Sequence, residues 1–341
     1  MAISKRDPFV FGGAQIPPGK RVTTTLPLSL LSDHTPVSLS VHVVHGKLPG
    51  PKLLINGAVH GDEVNGVEII RRILRHSSIK GMAGTLIAVP IVNVYGFQTN
   101  TRYLPDRRDL NRSFPGSPTG SLASRLAYLY MKEVVSKADF GIDLHTGAIH
   151  RSNFPQIRCD LSNPDARRMA MNFGVPVVLN AALRDGSLRK AAIEAGIPFL
   201  VYEAGEALRF DEVAIRAGVK GIIRILGDLG MIRKRNRDEA PAEPVISRSS
   251  IWVRASEGGI FRAREKLGAQ VLAGSNLGTI ASPFGDMEFP IESPTNGIII
   301  GRNNLPNVNQ GDGLFNIARV DDPEAAADAI DVFQDDWEQG E

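Results

Sequence analysis

The stretch KLLINGAVHGDE (residues 52–63) decides the fold, because it joins the pattern of a strand to a turn and to the start of a helix. Its first five residues form a mostly apolar run that suits a buried strand ending at Gly57. Apolar residues then recur with helical spacing across residues 64–76. The stretch therefore predicts a β-strand, a tight turn containing glycine and an amphipathic helix.

The alternation of strand and helix patterns continues along much of the chain. Short apolar runs predict strands at residues 37–45, 85–94, 139–144 and 198–202, and helical spacing predicts helices at residues 122–135 and 211–229. Such alternation indicates an α/β fold, with a mixed, largely parallel sheet that is flanked by helices.

A change in composition divides the chain into parts. Residues 233–244 (RKRNRDEAPAEP) are charged, contain proline and are typical of a linker. Residues 1–235, with strands expected within residues 1–50, form the predicted α/β domain. Residues 245–320 are rich in glycine and in short β-like runs, so they predict a small all-β domain. Residues 321–341 form an acidic tail.

Composition excludes several classes of protein. Hydrophobic residues make up 43% of the 341 residues and charged residues 22%, which is typical of a globular chain and not of a disordered one. The single cysteine, Cys159, excludes an intramolecular disulfide and a cysteine-rich zinc site. No apolar run reaches the ~18 residues of a membrane span. We therefore expect a cytoplasmic protein with no membrane partner.

The net charge of +2 hides an uneven distribution. Residues 321–341 hold nine acidic side chains and no lysine or arginine, which leaves a net charge of +11 on residues 1–320. A basic body favours anionic substrates or nucleic acid. Aromatic residues are only 6% of the chain and do not alternate with the arginines, so we expect no nucleic-acid partner. A solvated, partly helical end is the simpler interpretation of the tail.

A candidate metal site comes from three residues placed after predicted strands. His60 and Glu63 lie three residues apart in the turn after the first strand, and His145 follows the strand at residues 139–144. The carboxyl ends of parallel strands meet at one edge of a sheet, and zinc catalysis needs three protein ligands. Asp143, two residues before His145, is expected to orient a ligand. The alternative is that these are ordinary histidines that bind no metal, because a glutamate three residues from a histidine is common.

Two further groups add possible chemistry. Glu203 ends an apolar strand and suits a general base at the same edge, although a strand-end glutamate in a salt bridge is the plainer interpretation. The loop TRYLPDRRDLNRSFPG (residues 101–116) contains Arg102, Arg107 and Arg112 beside Asn111. Arginine binds carboxylates with two parallel hydrogen bonds and stabilises oxyanions. A solvated charged loop is the alternative.

Four ordered motifs together resemble one family. HGDE at residues 60–63, DLNR at 109–112, DLHTG at 143–147 and YEAGE at 202–206 resemble the succinylglutamate desuccinylase/aspartoacylase family of zinc-carboxypeptidase-like metallohydrolases. The resemblance covers about residues 55–320. It implies a zinc-carboxypeptidase-like fold and a zinc hydrolase catalytic domain at residues 1–235.

The resemblance implies a ligand set and a base. His60, Glu63 and His145 match the zinc ligands of the family, which implies one zinc ion per chain. Glu203 matches the glutamate that activates the zinc-bound water and protonates the leaving nitrogen. Asp143 is then expected to orient one of these ligands without binding zinc itself.

The resemblance also implies how the substrate is held. Asn111 and Arg112 match the pair that binds the substrate's α-carboxylate, and Asp109 of the same motif is expected to support the site. The family places an arginine shortly before this motif to polarise the scissile carbonyl. Both Arg102 and Arg107 stand in the longer loop of this chain, and we favour Arg102 because the pair Arg-Tyr matches the family. Arg107 is then expected to bind substrate.

Residues 271–319, with the stretches LGTI, IESPTNGIII and NVNQGDGLFNIA, resemble a half-barrel of the biotinyl/lipoyl type. The stretch expected at the tip of its hairpin, FGDMEFP (residues 284–290), contains no lysine, so we predict no attached cofactor. A barrel-sandwich-like domain that packs on the site or limits access to it is expected.

The residues and the resemblance together predict an amidohydrolase that releases the acyl group from an N-acyl amino acid, a small substrate bearing a carboxylate. A carboxypeptidase-type enzyme that removes a terminal residue from a peptide uses the same groups and is the alternative. A non-catalytic basic binding protein is a third hypothesis, disfavoured because no ligand or base is missing. We expect the loops at residues 150–159 and 179–188 to determine which substrate is bound, and the family suggests a homo-oligomer.

Overall fold

A computed structural model describes residues 6–233 and 241–320, together with Ile330, Asp331 and Phe333. Most of the predicted linker and most of the acidic tail therefore lie outside the described residues. None of the described helices has both the length and the apolar character that crossing a bilayer requires.

The N-terminal part supplies strands before the first long helix. These strands are β1 (Phe9–Phe11), β2 (Ala14–Ile16), β3 (Lys20–Leu30), β4 (Pro36–His45) and β5 (Leu48–Gly57). The middle of the chain forms the next group of strands, which are β6 (Ala83–Val89), β7 (Phe140–Gly147), β8 (Arg151–Cys159), β9 (Val177–Asn180) and β10 (Phe199–Glu206).

Helices connect these strands. They are α1 (Asn65–Arg75), α2 (Val94–Gln98), α3 (Leu122–Glu133), α4 (Pro164–Phe173), α5 (Leu188–Glu194) and α6 (Glu212–Asp228). The predicted helices at residues 64–76, 122–135 and 211–229 correspond to α1, α3 and α6. The predicted strand at residues 85–94 is too long, because Pro90 has no N–H for a sheet ladder and Asn93 caps α2 by accepting a hydrogen bond from Gly96 N.

The C-terminal part of the described chain is built from short strands. They are β11 (Val245–Ser247), β12 (Ser250–Arg254), β13 (Gly259–Ala263), β14 (Gln270–Val271), β15 (Asn276–Ala281), β16 (Glu288–Glu292), β17 (Gly297–Asn303), β18 (Asn307–Val308) and β19 (Gly313–Arg319). The prediction that this part is all β therefore agrees with its described residues.

One large mixed sheet runs through the described molecule. Its centre is the parallel array β6–β5–β7–β10, and the β3–β4 hairpin extends it antiparallel on one side. On the other side β8 pairs antiparallel with β10, and β17, β19 and β12 follow. The α/β class with a mixed sheet is confirmed.

Alternating side chains of β5 show how the sheet is covered on both faces. Leu53 and Ile55 lie in one apolar cluster with residues of α1, α4 and α6. Leu54, between them, lies in a second cluster with residues of α3 and α5. Successive residues of a strand point to opposite faces, so a continuous apolar run such as KLLIN belongs to a strand that is buried on both sides.

Strand β8 corrects the expectation that residues 150–159 form a loop. Its residues pair with both β10 and β17, so this segment joins the parallel centre to the C-terminal strands. Polar residues such as Ser152 and Asn153 interrupt the apolar pattern that marks the other strands. These residues form a strand because they pair with residues distant in sequence, and not because of their own strand propensity.

The C-terminal strands form two layers. Strands β16, β15, β13 and β18 make a separate four-stranded sheet, and a third apolar cluster contains residues of this sheet and of β12, β17 and β19. Because β17 also pairs with β8, this segment shares a sheet with the α/β part. A domain boundary near residues 235–245 and a barrel-sandwich architecture stay predictions.

Candidate metal centre and active-site cavity

The candidate site lies at the carboxyl edge of the parallel strands. The chain leaves β5 at Gly57 and reaches His60 and Glu63 before α1 begins. On the two neighbouring strands, His145 of β7 and Glu203 of β10 are paired in register. The edge at which parallel strands end is where ligands bind in open α/β sheets, and four predicted residues meet there.

The turn that carries His60 is tightly packed. Gly61 is required because a Cβ atom there would lie 2.0 Å from the carbonyl carbon of Gly96. The left-handed residue of this turn is Ala58, with φ of 49°. Close approach of two backbones, and not a left-handed conformation, is therefore the reason for a glycine at position 61.

His60, Glu63 and His145 converge. The Glu63 carboxylate lies between the two imidazoles, with Oε1 at 2.7 Å from His60 Nδ1 and Oε2 at 2.7 Å from His145 Nδ1. One ligand atom from each residue lies within 4.8 Å of the others, and all three residues are buried. This donor set can hold a metal ion and matches the nitrogen and oxygen ligands that zinc accepts.

Carboxylates hold the far side of each imidazole. His145 Nε2 lies 2.7 Å from Asp143 Oδ2, and His60 Nε2 lies 3.2 Å from Asp109 Oδ1. A ligating histidine commonly donates its other ring N–H to a carboxylate, which directs the free nitrogen at the metal. The residues present therefore fit a metal whose ligand atoms on the histidines are both Nδ1.

Charge compensation within this cluster is strong. Burial alone acts to lower the pKa of His60 and of His145, but their carboxylate neighbours outweigh it and raise both pKa values. Burial acts to raise the pKa of Glu63, whereas the two histidines hold that pKa well below its usual range. A cation can therefore bind to this buried, charged cluster by displacing protons from it.

Arg102 is held beside this cluster. Its Nε and Nη2 donate to Asp109 Oδ2 at 3.1 and 2.9 Å, and its Nη1 donates to Glu63 Oε1 at 3.2 Å. Asp109 also accepts a hydrogen bond from Asn111 N at 2.8 Å. Asp109 thus connects a histidine, an arginine and the DLNR turn.

Asn111 and Arg112 face the same cavity. The Asn111 side-chain oxygen accepts a hydrogen bond from Leu188 N at 2.8 Å, which leaves its NH₂ group available to a ligand. Burial, together with the positive charges of Arg184 and Arg102, lowers the pKa of Arg112 despite the opposing effect of Asp109. An anion bound here would relieve that repulsion between arginines.

Arg107 lies outside the cavity. It occupies the left-handed corner of a tight turn, with φ of 61°, and its N–H donates to the carbonyl of Leu104. Its side chain is exposed, and it is absent from the described residues that line the cavity. The expectation that Arg107 contacts substrate therefore finds no support in its position, because the turn places it at the surface.

Glu203 stands at the cavity wall with a partner on one oxygen. Asn153 Nδ2 donates to Glu203 Oε2 at 2.8 Å, while Arg158 Nε lies 3.9 Å from Oε1. The salt bridge that was the alternative role for Glu203 is therefore long. Oε2 is thus held by a hydrogen bond, whereas Arg158 is a more distant neighbour of Oε1.

A cavity of about 760 Å³ surrounds these groups. Arg151, Asn153, Arg158 and Arg184 of its wall come from the two loops expected to determine which substrate is bound, whereas the sequence analysis did not identify the wall residues Arg189, Arg248, Trp252 and Asn316. Trp252 and Asn316 belong to β12 and β19, so the C-terminal strands form part of the wall. No local sequence motif identifies Trp252 and Asn316, because it is the pairing of β17 with β8 that brings their strands to the cavity.

The sequence of the α/β part matches a known family. The model of the succinylglutamate desuccinylase/aspartoacylase catalytic domain matches residues 49–229, which is more than half of the chain. The chain belongs to the succinylglutamate desuccinylase/aspartoacylase family. The resemblance drawn from the four motifs is thereby confirmed.

Two known proteins are similar over most of the chain. An N-alpha-acetyl-L-2,4-diaminobutyric acid deacetylase of Halomonas elongata is 26% identical over 285 residues, which are 80% of this chain and 83% of that protein. The crystal structure of a succinylglutamate desuccinylase/aspartoacylase from Rhodobacter sphaeroides is 25% identical, with a TM-score of 0.78, and the match covers 87% of this chain and 95% of that chain.

A product-bound structure of the ectoine utilization protein EutE (DoeB) from Ruegeria pomeroyi has the same fold. It is 22% identical with a TM-score of 0.79, and the match covers 88% of this chain and 95% of that chain. Because 88% of the chain is longer than residues 1–235, the shared fold extends into the C-terminal part.

Proposed function

We propose that this chain is a zinc-dependent amidohydrolase that cleaves the amide bond of a small N-acyl amino acid. The observation that carries the proposal is the convergence of His60, Glu63 and His145 beside Glu203 in one cavity. Membership of the family and the deacetylase of Halomonas elongata support the choice of an amide bond.

His60, Glu63 and His145 would hold the metal through two Nδ1 atoms and the carboxylate. When bound, zinc lowers the pKa of a coordinated water toward neutrality and polarises a carbonyl oxygen. Asp143 and Asp109 keep the two imidazoles oriented by binding their Nε2 atoms.

Glu203 is proposed as the general base and acid. Its Oε2 is held by Asn153, so Oε1 would accept a proton from the attacking water and later deliver it to the leaving nitrogen. Asn153 keeps the carboxylate aimed at the cavity during both transfers.

Arg102, Asn111 and Arg112 would position the substrate. Arg102 is anchored by Asp109 and Glu63, which fixes its guanidinium beside the reacting carbonyl for stabilisation of the oxyanion. The free NH₂ of Asn111 and the guanidinium of Arg112 would bind the α-carboxylate of the amino acid. Holding that carboxylate sets the distance from the scissile amide to Glu203.

The proposal is tested by one variant and a substrate panel. Glu203→Gln is expected to lower kcat on N-acyl amino acids by about 10²- to 10⁴-fold, because the amide cannot exchange the proton. Its zinc content, measured by elemental analysis, is expected to remain near one per chain. Glu288→Gln, at an exposed glutamate of β16 outside the cavity lining, is the matched control.

Other outcomes decide against the proposal. Full activity of zinc-free protein would contradict it, as would wild-type activity in Glu203→Gln. Hydrolysis of C-terminal residues from peptides in preference to N-acyl amino acids would instead favour the carboxypeptidase-type alternative.

A further inference from the structure

Glu206, the last residue of β10, is a buried carboxylate that is absent from the described residues lining the cavity. Its Oε1 accepts a hydrogen bond from His150 N at 3.0 Å, and its Oε2 accepts hydrogen bonds from Asn304 Nδ2 at 2.8 Å and from Ser152 Oγ at 3.4 Å. Arg209 Nη2 lies 3.5 Å from Oε1, but its side chain is exposed and such ion pairs contribute little. The carboxylate therefore connects the turn after β7, strand β8 and the loop after β17.

His150 is held in a left-handed conformation from both sides. Its φ of 64° is uncommon for a residue with a Cβ atom. Its N–H donates to Glu206 Oε1, and its carbonyl accepts a hydrogen bond from Asn304 N at 2.8 Å. The Asn304 side chain closes the ring by donating to Glu206 Oε2. Glu206 and Asn304, which we call the turn clamp, thus fix both backbone polar groups of His150, and a strained backbone persists where its surroundings fix it in this way.

The turn that the clamp holds is part of the cavity wall. Gly147 and Ala148 line the cavity, and they follow closely after the candidate ligand His145. Arg151 N closes the turn by donating to the carbonyl of Ala148 at 2.9 Å. His150 lies within this turn, so its conformation sets the position of Ala148. The clamp therefore controls the wall beside the metal centre from outside the cavity.

The groups proposed to react have supports of their own. Asn153 holds Glu203, and Asp143 and Glu63 hold His145. Release of the turn would therefore displace the wall that faces the substrate and leave the base and the metal ligands in place. Such a displacement weakens substrate binding, and so raises KM, more than it slows the chemical step.

We propose that Glu206 is a positioning residue for the reaction, which acts with Asn304 to hold the turn at residues 148–151 as a wall of the substrate cavity. The inference rests on the proposed amide hydrolysis, because it concerns a substrate that occupies this cavity. It also gives the C-terminal part a role in substrate binding, since Asn304 belongs to the loop between β17 and β18.

An exchange of the two side chains tests the clamp. Asn304→Asp places a second carboxylate where the amide stands 2.8 Å from Glu206 Oε2, and we expect KM to rise about tenfold or more with kcat changed by less than about threefold. The substrate is N-acetyl-L-alanine or N-acetyl-L-aspartate, whichever the zinc-loaded wild-type chain hydrolyses faster. Glu206→Gln is expected to raise KM less, because the Asn304 amide can rotate to present its oxygen. The double variant Glu206→Gln/Asn304→Asp pairs an amide with a carboxylate again and is expected to restore KM to within about threefold of the wild-type value.

Hydrogen exchange gives a readout that does not depend on catalysis. The backbone amides of residues 150–152 are expected to exchange about tenfold faster in Asn304→Asp than in wild type, and at about the wild-type rate in the double variant. Asn307→Asp, at an exposed asparagine of β18 outside the cavity lining, adds the same charge outside the clamp. This control is expected to leave KM and the exchange rates unchanged.

Three results would overturn the clamp. They are wild-type KM and exchange in Asn304→Asp, a double variant that is no better than Asn304→Asp, and a fall in kcat with unchanged KM, which would indicate only a loss of folded protein. If the wild-type chain hydrolyses neither compound, the proposed amide hydrolysis fails this test, and the exchange rates still decide the clamp. Faster exchange in Asn304→Asp that the double variant reverses supports it, and equal exchange refutes it.

Discussion

Asp143 is a buried carboxylate that orients one of the candidate metal ligands. Its Oδ2 lies 2.7 Å from His145 Nε2, and its Oδ1 accepts a hydrogen bond from Asn56 Nδ2 at 2.6 Å. Both contacts are buried, so the carboxylate has little freedom to move. It therefore fixes the ring orientation and the proton position of His145.

Replacement of this carboxylate is expected to weaken metal binding. Asp143→Asn puts an amide where His145 and Asn56 both require an acceptor, and we expect zinc affinity to fall about 10- to 100-fold. Competition with a chromogenic chelator measures the affinity, and thermal unfolding of the metal-free proteins separates it from lost stability. Asp33→Asn, at an exposed loop aspartate, is the control. Unaltered zinc affinity in Asp143→Asn would contradict this role.

Cys159 is a residue whose environment suppresses its chemistry. Burial, and to a smaller degree the charge of Asp160, raises the pKa of Cys159 to about 12, although Arg189 opposes the shift. The thiolate is the reactive form, so the native thiol should stay unreactive at any pH well below 12. We expect a thiol-specific disulfide reagent at about pH 8 to label the protein in denaturant and not in its native state. Rapid labelling of native protein that rises with pH around neutrality would contradict this.

At the scale of elements, the loop before α5 packs against the DLNR motif. The carbonyl of Gly186 accepts a hydrogen bond from Phe114 N at 3.0 Å. A Cβ atom on Gly186 would lie 2.4 Å from the carbonyl oxygen of Arg112. The two segments pack backbone to backbone, which explains why a glycine stands there.

Gly186→Ala is expected to displace this packing and lower kcat/KM on N-acyl amino acids by an order of magnitude or more, since small misplacements of binding groups are costly. Gly196→Ala is a matched control: Gly186 and Gly196 have φ of +73° and +81°, but a Cβ on Gly196 meets nothing within 4 Å. Both variants share backbone strain of about 1–2 kcal/mol. Equal losses of activity in the two variants would show that strain, and not the collision with Arg112, is responsible.

At the scale of the molecule, the C-terminal segment reaches back to the α/β part. Ile330 and Phe333 are buried in the same apolar cluster as residues of α1, α4 and α6. The Phe333 ring lies 5.9 Å from the Phe154 ring of β8, in an edge-to-face arrangement. Part of the segment predicted as a solvated tail is therefore packed on the core, which corrects that interpretation for these residues.

Phe333→Ala is expected to lower the free energy of unfolding by about 3 kcal/mol, because it removes a large buried side chain. Phe284→Ala, at the tip of the β15–β16 hairpin where the ring is 92% exposed, is expected to change it by less than about 0.5 kcal/mol. Denaturant unfolding of both variants measures the difference. Equal stability of the two would mean that the C-terminal segment does not pack on the core in solution.

The fold could be predicted from sequence wherever the signal is local. The apolar runs of β5, β7 and β10 and the spacing in α1, α3 and α6 are properties of consecutive residues, so their positions followed from the pattern. Strand β8 could not be predicted, because its stability depends on pairing with β10 and with β17, nearly 150 residues away. Long-range pairing leaves little trace in a single short segment.

The candidate site likewise contains residues that could be predicted from the sequence and residues that could not. His60, Glu63, His145 and Glu203 all lie near the carboxyl ends of strands, so their positions along the chain are enough to predict that they meet at one edge of the sheet. Arg189 was missed because one arginine on a short helix has no local signal, and only its burial with an unsatisfied Nη1 marks it.

The sequence by itself therefore determined the α/β class, the family and the residues at the carboxyl edge of the sheet, since periodicity and motif order are carried by neighbouring residues. Tertiary structure alone decided that Arg107 lies outside the cavity, that Trp252 and Asn316 enter its wall, and that the Nδ1 atoms of His60 and His145 meet at Glu63. These outcomes depend on turns, on strand pairing across the whole chain and on the direction of each ring. Contacts between residues far apart in sequence set all three.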